Sequence, residues 1–96
     1  MGSGRSYSTR EIIRVLKRLG YREVSKRGKG SHRWFVYESA GIIIARTMLP
    51  AERRDINPDT FQHILKDIRL TKEQFQAASA GQLDSTVYAT MMTAPQ

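Results

Sequence analysis

The hydrophobic period of this chain changes twice, and the two changes decide what it can fold into. Between Thr9 and Leu19 the apolar residues Ile12, Leu16 and Leu19 recur at i, i+4 and i+7, with Ile13 and Val15 beside them. That is one apolar face of a helix. Ser8 and Glu11 stand three apart as a capping box does, and Gly20 supplies the stop. The pattern predicts a helix over about residues 9–19, with Arg10, Arg14, Lys17 and Arg18 on its outer face.

From Tyr21 the period falls to two. Residues 21–25 make a short polar strand, and Arg27-Gly28-Lys29-Gly30 a turn. In the run His32 to Glu38, Arg33, Phe35 and Tyr37 fall on one side and His32, Trp34 and Val36 on the other. Ser39-Ala40-Gly41 turns the chain into a third strand, Ile42 to Met48, and Pro50 ends the sheet. The helical period then returns. Asn57 caps and Pro58 opens a second helix whose apolar face is Phe61, Ile64, Leu65 and Ile68. Thr71 caps a last short helix through Phe75. The order α-β-β-β-α predicts an α+β fold, a three-stranded antiparallel sheet with two helices covering one face.

Length and composition set the remaining bounds. The 96 residues suit one small domain. We divide them into a flexible lead or tag remnant at 1–6, a single domain at 7–75 and a poorly ordered tail at 76–96, where periodicity is lost to Ala, Ser, Thr and Met. There is no cysteine, so neither a disulfide framework nor a thiolate metal site is available. No apolar run reaches membrane-span length and no signal-peptide pattern precedes the first helix, which together point to the cytoplasm.

Charge is divided unevenly along the chain. Residues 5–54 carry 13 Lys and Arg against 4 Asp and Glu, a net of +9; residues 55–96 carry 3 against 5, a net of −2. The basic half points to a phosphate-bearing partner, nucleic acid before membrane, because no strongly amphipathic helix gathers the cations opposite an aromatic face. No acidic cluster suits Mg²⁺, no His/Cys set suits zinc, and no P-loop is present. We therefore expect no metal and no cofactor.

Chemistry concentrates in residues 26–34, KRGKGSHRW. Gly28 and Gly30 let backbone approach a ligand, and N–H groups in such a loop, including that of Ser31, hold anionic oxygens. Lys26, Arg27, Lys29 and Arg33 add positive charge, Arg33 with a fork that can grip phosphate twice. His32 is then an acid/base group beside a bound phosphate. Those parts suit metal-free RNA cleavage, in which the 2′-hydroxyl loses a proton to attack phosphorus and the 5′-oxygen gains one as it leaves. One histidine serves as base or acid within a concerted step, so a partner is required: water, Lys29, Tyr37 or another group. The plainer reading of His32 is a strand residue whose imidazole only hydrogen-bonds. Trp34 is either part of the sheet's packing or a platform for a base. His63 reads as a surface residue of the second helix.

Leu19-Gly20-Tyr21 closing a capped helix, Gly30-Ser31-His32 opening a strand, a strand ending at Pro50, and a helix closing with Leu70-Thr71-Lys72-Glu73-Gln74-Phe75 together resemble the HicA family, small toxins of bacterial toxin–antitoxin pairs. The resemblance spans about residues 7–75. It implies a fold like that of double-stranded RNA-binding domains, mRNA cleavage during growth inhibition, and a HicB-type antitoxin that covers the active face. The family's Gly-Ser-His histidine falls on His32. Many members carry a second histidine two residues after the strand-ending proline, where this chain has Glu52. Two other functions fit the same residues: a non-catalytic RNA-binding module, or an interaction domain whose basic surface meets an acidic protein.

Overall fold

The computed structural model describes residues 6–24, 32–50 and 55–93. Its elements are α1 (Thr9–Leu19), β1 (Arg22–Val24), β2 (His32–Ser39), β3 (Ile42–Pro50), α2 (Pro58–Ile68), α3 (Lys72–Ser79) and α4 (Ser85–Thr93). The α+β class and the antiparallel sheet of order β1-β2-β3 match the sequence-based expectation.

The local signals act as their chemistry requires. At α1 the Ser8 hydroxyl accepts from the Glu11 N–H and the Glu11 carboxylate accepts from the Ser8 N–H, so both halves of the capping box are made. Gly20 ends the helix at φ 116°, a left-handed conformation natural to glycine, and its N–H reaches the Leu16 and Lys17 carbonyls. Ala40 and Gly41, both at positive φ, form the two-residue hairpin loop between β2 and β3. Asn57 caps α2 through the Thr60 N–H at 2.8 Å, with Pro58 in the first turn.

Alternation along the strands sorts the sheet into two faces. Phe35, Tyr37, Ala45, Thr47 and Leu49 are buried on the helix side, where Ile12, Leu16 and Leu19 of α1 and Ile64 and Ile68 of α2 complete the core. The other face carries Trp34, 41% exposed, paired with Val24 on one side and Met48 on the other. A bulge follows Tyr37: that residue opposes Ala45, whereas Glu38 opposes Ile43, which leaves Ile44 as the extra residue.

Three expectations need correction. First, β3 does not stop at Met48 but runs on to Pro50, which lies opposite His32; a proline fits there because it closes the strand. Second, α3 does not stop at Phe75 but continues to Ser79, since Ala78 is also buried. Third, residues 76–93, expected to belong to a poorly ordered tail, hold the end of α3 and a further helix, α4, beyond the three helices expected. Asp84 accepts from the Val87 N–H and starts α4, and Tyr88 and Met92, one turn apart, are buried. Both α3 and α4 pack against α1. Tyr88 carries most of this docking. It is 0% exposed, its ring meets those of Tyr21 and Tyr37 at 6.0 and 5.2 Å, and its hydroxyl donates to the Ile68 carbonyl at 2.8 Å. Because that proton is used, the Tyr21 hydroxyl donates to the Tyr88 oxygen across 2.6 Å.

A two-histidine groove at the end of the sheet

His32 is the first residue of β2, and the ladder pairs it with Pro50, the last residue of β3. Here the sheet ends and α2 passes alongside, close to β3. On α2, Thr60, His63, Ile64 and Asp67 are spaced i, i+3, i+4 and i+7, so they form one stripe. That stripe and the strand ends enclose a groove of about 400 Å³ lined by His32, Met48, Pro50, Thr60, His63, Ile64 and Asp67. Ile64 anchors the stripe in the core, which turns the neighbouring His63 toward the groove's rim. Asp67 is tied to the sheet: its carboxylate accepts from the buried Thr47 hydroxyl at 2.9 Å. Both imidazoles are exposed.

His63 also borders a second groove, of about 580 Å³, on the other side of α2. Lys66 and Lys72 line that groove with Glu73. His63 therefore stands between a groove shared with His32 and a groove carrying two cations.

The residues singled out in the sequence divide three ways. Lys26, Arg27, Gly28, Lys29, Gly30 and Ser31 lie outside the described residues, as does Glu52. His32 is placed in the groove. Arg33 is placed elsewhere: as the next residue of a strand it projects to the opposite face. There its guanidinium makes a two-point ion pair with Glu23 on β1, with Nε and Nη2 each 2.7 Å from a carboxylate oxygen, and lies 5.8 Å over the Phe35 ring. The structure does not join the Arg33 fork to His32. Among the described residues no Lys or Arg lines the His32 groove. Among the described residues there is no group of three or more His, Cys, Asp or Glu placed to hold a metal ion, and no helix long and apolar enough to cross a membrane.

His63 is an exposed residue of the second helix, as the sequence reading has it; what that reading does not give is its place beside the His32 groove. The spacing Thr60–His63–Asp67 was present as a polar edge to an apolar helix face. Nothing in the spacing says that this edge meets the end of β2, because that meeting depends on how α2 lies against β3.

These features define a small α+β domain whose candidate site is an open groove between a sheet end and a helix. A family model described as the HicA toxin of bacterial toxin–antitoxin systems matches residues 9–70, which run from the start of α1 to just past α2. The chain belongs to the HicA toxin family, and membership implies a HicB-type antitoxin as its partner. No curated protein matches the sequence.

Proposed function

We propose that this HicA-family toxin is a metal-independent endoribonuclease acting on mRNA in the bacterial cytoplasm, with His32 as a general acid/base. The observation that carries this reading is the position of His32: an exposed imidazole in an open groove, directly after a segment of three cations and two glycines. The family's general association with RNA-cleaving toxins supports it.

The chemistry needs no group beyond the chain and the RNA. The nucleophile is the substrate's own 2′-hydroxyl, so the reaction is confined to RNA. The protein must move protons and stabilise charge on the phosphate. Lys26, Arg27 and Lys29, with the backbone of Gly28, Gly30 and Ser31, are the proposed phosphate cradle. Arg33 joins it only by releasing Glu23, so its contribution in the resting protein is to brace β2 against β1. A HicB-like antitoxin would inhibit by covering the same face.

His32→Ala tests the reading. The variant should keep its melting temperature, because the side chain is exposed, and lose at least about a hundredfold in RNA cleavage together with its growth arrest. Full toxicity in the variant would sink the proposal. Salt-sensitive RNA binding without cleavage by the wild type would point instead to a binding module.

A further inference from the structure

We propose that His63 is the second proton-transfer group of this toxin, the acid that protonates the leaving 5′-oxygen while His32 acts as base. The inference rests on the ribonuclease reading above and assigns the group that reading lacks.

Strand-to-product chemistry at an RNA phosphodiester moves two protons in opposite directions, and one imidazole cannot do both within a concerted step. The groove at the end of the sheet is lined by two imidazoles, His32 from β2 and His63 from α2. At about 400 Å³ it falls within the size of small-ligand sites and admits a phosphodiester with its flanking sugar. Imidazole is the side chain best suited to give or take a proton near neutral pH.

Charged groups of both signs stand near His63. One turn on either side of His63 on α2 stand Asp59 and Asp67, and Asp67 lines the groove itself. Lys66 and, from α3, Lys72 and Glu73 face the other side, in the second groove. The second groove gives the departing strand a path, since past His63 the next phosphates would meet Lys66 and Lys72.

The step balances. His32 takes the 2′-hydroxyl proton as the 2′-oxygen bonds to phosphorus. The bond from phosphorus to the 5′-oxygen breaks, and its electron pair takes the proton from His63. The products are a 2′,3′-cyclic phosphate and a 5′-hydroxyl end. His32 is left protonated and His63 neutral, and exchange with solvent resets both.

The test uses antitoxin-free protein and two RNA oligonucleotides. One is unmodified; the other carries sulfur in place of the bridging 5′-oxygen at the bond the wild type cuts, because a thiolate leaves without a proton. His63→Ala should cut the unmodified RNA at least about a hundredfold more slowly than wild type and the sulfur-substituted RNA at close to the wild-type rate. His63→Gln should behave alike, and unchanged melting temperatures show that both fold. His32→Ala should fail on both RNAs. Wild-type rates for His63→Ala on both RNAs, or an equal loss on both, would overturn the assignment while leaving His32 in place. If His32→Ala cuts as fast as wild type, the ribonuclease reading itself fails and this inference falls with it.

Discussion

At the start of β2 an imidazole faces solvent in an open groove that a second imidazole, on α2, also lines. Near the end of the same strand Tyr37 lies buried against Tyr21 and Tyr88, and the hydroxyls of Tyr21 and Tyr88 are hydrogen-bonded to each other. Both places bring titratable side chains from the sheet and a C-terminal helix together. They differ in water. At the tyrosine end every hydroxyl that docks α4 has a protein partner, so the protons are fixed and the groups hold the fold. At the histidine end the groups are open to solvent. A titratable cluster becomes a site or a strut according to which side of that line it falls on.

The same substitution made at each end should expose the difference most. Tyr88→Ala removes a ring that is 0% exposed and should cost about 3–5 kcal/mol, the range for deleting a buried aromatic. For a domain of this size that lowers the melting temperature by on the order of 15–30 °C. His32→Ala should change stability by less than about 0.5 kcal/mol. Urea titration of both variants checks the pair, and a stable Tyr88→Ala would mean that α4 is not part of the cooperative unit.

Tyr88→Phe keeps the ring and deletes the hydroxyl. The Ile68 carbonyl and the Tyr21 hydroxyl both lose their partner in a buried setting. The expected cost is about 1–3 kcal/mol, measured in the same titration. A loss as large as that of Tyr88→Ala would assign the docking to the hydrogen bonds and not to the ring.

How far the sequence showed this contrast depends on the range of the interactions. Ser8–Glu11, Gly20, Asn57-Pro58 and Thr71 act on their own backbone within a turn, so the elements they bound could be read directly. The residues around Tyr88 offered little: STVYATMMT has no charge and no sustained apolar period, and Tyr88 and Met92, with the partly buried Met91, bind it to the core. Its helix comes from tertiary packing, for which a short window without a helical apolar period carries no signal. The bulge after Tyr37 and the Arg33–Glu23 pair depend on strand register. His63 depends on where α2 crosses the sheet. His32 could be singled out as a candidate because its glycines, cations and imidazole are neighbours in the chain, whereas His63, which lines the same groove, is 31 residues away.

Gly20 probes the tyrosine end from its backbone side. A Cβ added there would lie 3.1 Å from Cε1 of Tyr37, at a φ of 116° that side chains rarely adopt. Gly20→Ala should therefore destabilise by about 1–2 kcal/mol, by straining the helix end and pressing on the tyrosine cluster. The measurement is again the urea midpoint. A neutral result would show that the Tyr37 ring gives way freely, and that the cluster is looser than its hydrogen bonds imply.

Alkaline pH should separate the two ends by the smallest effect and without touching the chain's shape at neutrality. Burial pushes the Tyr21 hydroxyl from 10.0 up to about 12 and moves Tyr88 in the same direction. In the unfolded chain both ionise near 10. Below that pH both states hold the protons and the cluster's contribution is complete. Above it the unfolded chain loses protons that the folded chain still keeps, so stability falls with rising pH, through a window from about 10 to about 12 for Tyr21. Lysines also titrate there, so the informative quantity is a difference between variants. Tyr88→Phe has one buried hydroxyl fewer to release and should lose stability less steeply over this window than the wild type. His32→Ala retains the whole cluster and should follow the wild-type slope. Parallel slopes for Tyr88→Phe and the wild type would show that water reaches the tyrosine hydroxyls, and would remove the distinction between the two ends of β2.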